Sequence, residues 1–377
     1  MSARTRPSGR LDPRRAALDA GVLAWMREAD WRADEARFDA LARDLFAFQF
    51  ERCAPYRRFC AGRGRTPERL GSWREIPAVP TGAFKELALR CFPAEDTLRT
   101  FRTSGTATAA RGELHLDTLE LYEASLLPSF RRHLLPDLAA GARLRIRVLA
   151  PSPEEAPDSS LSHMFGVVLR ELGAAGSGFD VVEGALRADP CLAGLGEAAA
   201  CGEPLLLCGT AFGFVHLLDA MAARGKQLAL PAGSRVMETG GSKGRARDLR
   251  PGELHALLEQ ALGVPAARIV NQYGMTELAS QFYDSVLARP GEPRRKLAPP
   301  WARVRVVDPE TGTDAGPGAV GSLVVYDLAN TGSALALQTA DLGRRLGDGF
   351  EVLGREPGAE ARGCSIAADE LLRDGPG

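Results

Sequence analysis

The sequence predicts an α/β fold, because segments with the period of strands alternate with segments of helical period through most of the chain. Apolar residues 205–208 are typical of a buried strand, and residues 212–221 after them show helical periodicity. From Arg303 onward strand patterns dominate, so a β-rich end is expected. A chain of 377 residues can form two or three structural units, or one large α/β domain.

Helical periodicity is clear near the start of the chain. Apolar residues recur there at spacings of three, four and seven from Trp31 to Phe48, which predicts helices between about Asp12 and Cys60. Farther along, Asp117 is expected to cap a helix that Pro128 ends. The later helices are expected over residues 118–127, 161–172, 212–221 and 253–262.

Strand patterns separate these helices. Residues 144–150 alternate between apolar and polar side chains, as a half-buried strand does. The strand at 269–270 leads directly into the polar string that begins at Asn271. The predicted strands are a short one that ends near Phe101 and those over residues 144–150, 179–182, 205–208, 235–241 and 269–270.

The charge balance argues against several classes of partner. The chain has 47 Lys and Arg residues and 48 Asp and Glu residues, so it lacks the basic excess that binds nucleic acid or an anionic membrane. No run approaches the roughly 18 apolar residues of a membrane span, and the basic N-terminal stretch lacks the apolar core of a secretory signal. Seven cysteines include no Cys-x-x-Cys pair, which argues against zinc and for reduced thiols in the cytoplasm.

The string Tyr273-Gly274-Met275-Thr276-Glu277 has the residue types that a nucleotide site needs. The tyrosine ring can stack on a base, and the glycine lets backbone approach a ligand closely. The threonine hydroxyl can donate to an α-phosphate, and the glutamate can hold a hard cation such as Mg²⁺. The alternative for Glu277 is an ordinary acid in the first turn of a helix.

A hydroxyl-rich segment over residues 103–112 precedes that string. It contains Thr103, Ser104, Gly105, Thr106 and, near its end, Arg111. Small residues let such a loop wrap a polyphosphate, while hydroxyl and backbone N–H groups donate to the phosphate oxygens. It is not a Walker loop, which would end in Gly-Lys-Ser or Gly-Lys-Thr. A polar surface loop is the alternative.

A third string lies downstream and contains Asp341 and Arg355. The two oxygens of an aspartate can accept from both hydroxyls of a ribose, and a nearby arginine can contact ribose or phosphate. The alternative for Asp341 is to cap a turn before Gly343.

Together the three strings resemble the adenylate-forming (ANL) superfamily of acyl and aryl acid ligases, from about Thr81 to the C-terminus. The acyl-protein synthetases of bacterial luminescence, which are similar to phenylacetate-CoA ligases, match most closely. The resemblance implies a large N-terminal ANL-type domain with mixed sheets flanked by helices, and a truncated C-terminal segment. It divides the chain into an N-terminal helical region (1–80), an adenylate-forming core (81–340) and a short segment in place of the usual mobile domain (341–377).

The resemblance also implies ATP and Mg²⁺ as cofactors and assigns further site residues. Gly240 and Gly241 would lie against the adenine, although they could simply close a strand. His163, Phe212 and Phe214 would line the acyl pocket, or pack in the core. The hydroxyl-rich segment departs from the family pattern, since Arg111 stands where lysine is usual and is not equivalent to it.

Cys364 is the predicted acyl carrier. The resemblance places it at the cysteine that accepts the acyl group in the luminescence synthetases, and a thiolate readily attacks an acyl-AMP. The lysine that a second domain usually supplies is missing, and Pro357 replaces the usual hinge aspartate. The alternative for Cys364 is a buried structural thiol.

The predicted function is therefore ATP-dependent activation of a carboxylic acid, a fatty acid or another apolar acid, to acyl-AMP. The acyl group would pass to Cys364 and then to a partner such as an acyl reductase. Two other functions stay open. One is direct transfer of the acyl group to CoA, a carrier protein or an amine. The other is a degenerate, non-catalytic module that binds an acyl chain or a nucleotide.

Overall fold

The computed structural model describes residues 12–104, 110–240 and 251–355. Four predicted site residues lie outside the described residues: Gly105, Thr106, Gly241 and Cys364. The chain divides into two compact units by its internal contacts. The first unit comprises the residues up to Pro128, the segment 275–281 and the residues from Lys296 onward. The second comprises Ser129–Gly274 and Phe282–Arg295. The functional division into residues 1–80, 81–340 and 341–377 stays a prediction.

The helices follow the predicted distribution, with one addition. The segment 188–201 forms a helix that the apolar pattern did not indicate. The α-helices are α1 (Pro13–Met26), α2 (Glu35–Arg52), α3 (Ala54–Gly62), α4 (Glu120–Leu134), α5 (Ser160–Leu172), α6 (Ala188–Cys201), α7 (Ala211–Ala223) and α8 (Pro251–Leu262).

Strands dominate the chain from Ala302 onward, as the sequence indicated, and they are longer there than in the middle of the chain. They are β1 (Val79–Pro80), β2 (Arg99–Arg102), β3 (Glu113–Leu116), β4 (Arg145–Leu149), β5 (Gly178–Phe179), β6 (Val181–Val182), β7 (Ala185–Leu186), β8 (Leu205–Gly209), β9 (Arg235–Glu238), β10 (Ile269–Tyr273), β11 (Phe282–Asp284), β12 (Lys296–Leu297), β13 (Ala302–Val307), β14 (Val320–Asp327), β15 (Ala336–Leu346) and β16 (Gly349–Arg355).

The first unit contains an antiparallel set of strands and the N-terminal helices. Its strands run in the order β13-β14-β15-β16-β12, with β1 parallel to β15, and β2 and β3 form a separate hairpin. Aromatic side chains fill its core. The Trp73 ring lies 5.2 Å from Phe38 of α2 and 4.8 Å from Tyr326 of β14, so helix and strand share one apolar cluster.

The second unit is built on parallel strands. The order is β11-β10-β9-β8-β4-β5, in which only the β10–β11 pair is antiparallel. Helices α6, α7 and α8 bury Leu195, Phe214 and Leu258 in one cluster with Leu207 and Val236 of the strands. Both units therefore combine helices with sheet strands, and the predicted α/β fold class is confirmed. Among the described residues, no helix combines the length and apolarity that a bilayer span needs.

Two local predictions in α4 are wrong. Pro128 lies inside the helix and does not end it, because buried Phe130 and Leu134 continue the apolar stripe beyond the proline. Their burial offsets the roughly 3 kcal/mol that an interior proline costs. Asp117 is buried and pairs with Arg15 (Oδ1–Nη2 3.4 Å), while the Thr118 hydroxyl accepts from the Glu120 amide (3.1 Å).

The predicted strand over residues 179–182 is also wrong as a single element. Phe179 ends β5, which pairs with β4, whereas Val181 begins β6, which pairs with β7. The backbone changes partner at Asp180, because its amide donates to the Val148 carbonyl of β4 (2.8 Å) while its carbonyl accepts from the Arg187 amide (2.8 Å). The buried Asp180 carboxylate also accepts from Arg147 (Nε–Oδ2 2.9 Å), and the apolar pattern reveals neither contact.

Candidate active site

The hydroxyl-rich segment is the connection of the β2–β3 hairpin, and hydrogen bonds close its base. The Thr103 amide donates to the Gly112 carbonyl (2.9 Å), and the Gly112 amide donates to the Thr103 hydroxyl (2.8 Å). Arg111 donates from Nε to the Thr103 carbonyl (2.6 Å). Ser104 is exposed beyond this closure. The two ends of the segment are therefore held together at the ends of β2 and β3.

Thr276 and Glu277 meet the base of this hairpin within the first unit. The Thr276 hydroxyl donates to the Arg102 carbonyl at the end of β2 (3.4 Å). A Cβ added at Gly112 would lie 3.5 Å from Oε1 of Glu277 and 3.1 Å from the Thr103 methyl group. Glycine at position 112 thus lets a nearly buried carboxylate lie against the hairpin backbone. The structure brings together two strings that are more than 150 residues apart in sequence.

The 275–281 segment, which contains Thr276 and Glu277, belongs to no helix or strand. The buried Asp327 carboxylate at the end of β14 accepts from the Ala279 amide (3.0 Å), the Ser280 amide (2.7 Å) and the Ser280 hydroxyl (2.7 Å). Burial raises the pKa of this carboxyl, while hydrogen bonds from Ser280 lower it. Sequence reasoning missed Asp327. A charged residue that directly follows the apolar run of β14 was the available signal.

Asp341 and Arg355 are cross-strand neighbours in the first unit. Asp341 on β15 lies opposite Arg355 on β16, and Oδ1 is 3.9 Å from Nε. The Asp341 amide donates to the Thr339 hydroxyl (3.1 Å), which itself donates to the Leu323 carbonyl (2.9 Å). An exposed guanidinium beside a partly exposed carboxylate could meet a polar ligand. The ribose role of the pair stays a prediction.

In the second unit, Gly240 and Tyr273 lie at the carboxyl ends of the neighbouring parallel strands β9 and β10. Ligands of open α/β sheets bind at this edge. Gly240 has a φ of +65°, which a residue with a side chain rarely adopts. The Tyr273 ring lies 6.2 Å from the Phe282 ring, and Gly274 follows directly in the chain.

Glu238, which sequence reasoning missed, ties this edge together. Its buried carboxylate accepts from the Gly240 amide (2.6 Å) and from Nδ2 of Asn271 (2.7 Å). Its Oε1 also lies 3.1 Å from Nε2 of His255 on α8. A carboxylate two residues before Gly240 and Gly241 was the available signal. The arrangement fixes the ends of β9 and β10 side by side.

The three residues predicted for an acyl pocket all lie in the second unit, in different environments. His163 lies in the first turn of α5, and Phe212 lies in the first turn of α7. Phe212 is 37% exposed, and its ring is 4.2 Å from the His216 ring. Phe214 is fully buried in the cluster of α6, α7 and α8, which favours a packing role. The pocket itself stays a prediction.

A family model described as acyl-protein synthetase, LuxE, matches residues 15–373. The long-chain-fatty-acid–luciferin-component ligase of Aliivibrio fischeri is 24% identical over 328 residues, which are 85% of this chain and 83% of that protein. The enzyme of the same name from Vibrio harveyi is 22% identical over 344 residues, 88% and 87% of the two chains.

Solved structures share the fold. A 2-hydroxyisobutyryl-CoA ligase in the postadenylation state, in complex with its acyl-AMP, superposes with a TM-score of 0.63 at 14% identity, over 86% of this chain and 69% of that chain. An open conformation of that ligase gives 0.60 at 14% identity, over 94% and 80%. The ANL-type fold that the sequence predicted is confirmed by this likeness.

Proposed function

The chain belongs to the LuxE family of acyl-protein synthetases and is an ATP-dependent ligase, and from this premise we propose that it activates a fatty acid as acyl-AMP. The acyl group then passes to Cys364 and on to a partner such as an acyl reductase. The names of both relatives, long-chain-fatty-acid ligases, support a long-chain fatty acid as the substrate. We place the reaction in the cytoplasm, where ATP is available.

The observation that carries the proposal is the meeting of Thr276 and Glu277 with the base of the hydroxyl-rich segment. A hydroxyl and a carboxylate lie against a loop whose residue types suit a polyphosphate. Thr276 would donate to the α-phosphate, and Ser104 and its neighbours would donate to the outer phosphates. Preorganised donors of this kind stabilise charge that develops during reaction.

Mg²⁺ fits the donors that the first unit offers. Mg²⁺ is usually held by one or two carboxylates together with substrate phosphates and water, without a complete protein cage. The described ranges contain no cluster of three or more His, Cys, Asp or Glu residues that would form such a cage. A cation shared between Glu277 and the phosphates of ATP agrees with both facts. When bound, the ion would neutralise charge on the phosphate oxygens.

In the proposed first step, a carboxylate oxygen of the fatty acid attacks the α-phosphorus of ATP. A new P–O bond forms while the bond to pyrophosphate breaks, and pyrophosphate leaves. Tyr273 would stack on the adenine beside Gly240 and Gly241. Asp341 would accept from the ribose hydroxyls with Arg355 next to it. Each of these residues binds or orients ATP, so the chain contributes position and charge.

In the proposed second step, the Cys364 thiolate attacks the carbonyl carbon of acyl-AMP. A thioester forms, the C–O bond to the phosphate breaks, and AMP leaves. Cys364 lies outside the described residues, so the support for this role comes from the family and the sequence. A neighbouring cation such as Arg362 would favour the thiolate. His163, Phe212 and Phe214 are the proposed contacts of the acyl chain.

The experiment is intact-protein mass spectrometry after incubation with ATP, Mg²⁺ and a panel of fatty acids. Wild type is expected to gain one acyl group that hydroxylamine removes, and Cys364→Ser is expected to gain none. Cys208→Ser is the matched control, because that thiol is fully buried in β8 and burial raises its pKa. Pyrophosphate release without an adduct would contradict the acyl-enzyme step and indicate direct transfer to CoA, a carrier protein or an amine.

A further inference from the structure

The turn over residues 327–330 holds the backbone that carries Glu277. Asp327, the first residue of the turn, accepts hydrogen bonds from the amides of Ala279 and Ser280. Asn330, the last residue of the turn, donates from Nδ2 to the Glu277 carbonyl (2.8 Å). The turn itself is closed by the Asn330 amide, which donates to the Asp327 carbonyl (3.1 Å). Two buried side chains of one turn therefore hold the backbone from the Glu277 carbonyl to the Ser280 amide.

A third buried side chain fixes the turn. Gln49 of α2 donates from Nε2 to the Asn330 carbonyl (2.8 Å), and its Oε1 accepts from the Leu335 amide (2.9 Å). Both ends of the Gln49 amide are thus engaged, and the side chain is fully buried. A buried amide with both ends satisfied has one preferred orientation. The chain of contacts runs from α2 through the turn to Glu277.

Position matters for Glu277 because its carboxylate has little room. Its Oε1 lies against Gly112, and Glu277 is only 6% exposed. A segment without helix or strand would have several backbone conformations if it lacked these hydrogen bonds. Groups that hold a metal-binding carboxylate in place commonly affect metal affinity without contacting the metal.

We propose that Asn330, Asp327 and Gln49 are positioning residues that set the Glu277 carboxylate for the cation of ATP. This proposal rests on the proposed function for the role of Glu277. It assigns a part in the reaction to α2, since Gln49 reaches the site through the 327–330 turn. The N-terminal helices then contribute to the geometry of nucleotide activation as well as to folding.

The test compares Asn330→Ala with Ser333→Ala. Ser333 is in the same loop and equally buried, but its hydroxyl donates to the Leu89 carbonyl (2.7 Å), away from the 275–281 segment. Acid-dependent pyrophosphate release is measured against Mg²⁺ concentration. Asn330→Ala is expected to need about tenfold more Mg²⁺ for half-maximal rate, while Ser333→Ala keeps the wild-type requirement. Equal shifts in both variants, or no shift in either, would overturn the proposal.

Hydrogen exchange of the amides in 278–281 provides a second readout that needs no turnover. Asn330→Ala is expected to speed their exchange in the nucleotide-free protein, and Ser333→Ala is not. If Asn330→Ala does not fold, Gln49→Met is used, with smaller changes expected in the same directions. Wild type that releases no pyrophosphate would sink the proposed function, whereas unchanged exchange in Asn330→Ala or Gln49→Met would sink the positioning claim separately.

Discussion

The two units position their candidate site residues in different ways. In the second unit, Gly240 and Tyr273 lie at the ends of adjacent parallel strands, so the ladder of the sheet places them. In the first unit, Glu277 lies in a segment without regular structure, and side chains such as Asp327 and Asn330 hold its backbone. Sheet topology, with Glu238 tying the strand ends, places Gly240 and Tyr273, whereas Glu277 is placed by buried polar side chains without a ladder.

This difference has a physical consequence. Backbone ladders tolerate many side-chain replacements, because the hydrogen bonds belong to groups that every residue except proline carries. A segment held by a few buried side chains depends on each of them. Substitutions of buried polar groups should therefore be most costly in the first unit, whereas the second unit should be most sensitive to side chains that disturb the spacing between helix and sheet.

The largest expected effect is that of Asp327→Ala. The substitution leaves the amides of Ala279, Ser280 and Ala329 without their acceptor in a buried site. Each such donor costs about 1–3 kcal/mol, so we expect a loss of at least about 3 kcal/mol in the free energy of unfolding. Denaturation in urea measures it.

Asp30→Ala is the control for that experiment. Asp30 pairs with Arg32 on the surface, where the two side chains are 65% and 87% exposed. Its replacement is expected to cost less than about 1 kcal/mol. Similar losses in Asp327→Ala and Asp30→Ala would contradict the view that the buried carboxylate organises the 275–281 segment.

A smaller effect is expected for Gly213→Ala in the second unit. A Cβ at this position of α7 would lie 2.4 Å from the Leu149 carbonyl oxygen of β4, so the helix must move away from the strand. We expect a loss of about 3 kcal/mol, near the upper end for overpacking. Gly196→Ala in α6, where a Cβ meets nothing within 4 Å, should gain about 0.5–1 kcal/mol. If Gly213→Ala has the same free energy of unfolding as wild type, the distance between α7 and β4 is adjustable, which would contradict this expectation.

The smallest expected effect is pH dependence from His133. Burial lowers the pKa of this imidazole to about 4 from 6.5, although Nδ1 donates to the Ser129 carbonyl (2.9 Å). The unfolded chain therefore binds a proton that the folded chain does not bind between those values. Stability is complete above pH 6.5 and falls as pH decreases, by about 2 kcal/mol from pH 7.5 to 5.

His133→Phe removes that titration. Urea denaturation at pH 7.5 and 5 is expected to show a smaller pH-dependent loss in this variant than in wild type, by about the 2 kcal/mol assigned to the imidazole. An equal pH-dependent loss of stability in both proteins would mean that the buried imidazole accepts a proton without cost. The second unit would then adapt to a charge there, although the His133 and Tyr283 rings are stacked with their centroids 5.5 Å apart.

The sequence predicted the alternation of strands and helices because apolar periodicity reports burial on a regular element. It also indicated the strings at Thr103 and Tyr273, whose residue types are unusual together. It did not reveal Asp327 and Asn330, because their partners are about 50 residues away along the chain. It placed the end of α4 at Pro128 incorrectly, since burial of Phe130 outweighs a local propensity.

Gln49 shows the same limit more strongly. It lies within a helical pattern, where a glutamine is unremarkable, and its acceptor on Asn330 is 281 residues away. Local pattern therefore predicts which residues could do chemistry. The side chains that hold them depend on tertiary contacts that no local pattern contains. The roles of the candidate site residues, including Cys364, stay predictions for experiment.

Pyrophosphate release by wild type and Glu277→Gln, with ATP, Mg²⁺ and a panel of fatty acids, tests the central claim most directly. Glutamine keeps the shape of the side chain and removes the charge that would hold the cation. We predict acid-dependent release by wild type and a loss of about 10²-fold or more in Glu277→Gln that added Mg²⁺ partly restores. Equal rates in the two proteins would contradict the role of Glu277 and the site built around it.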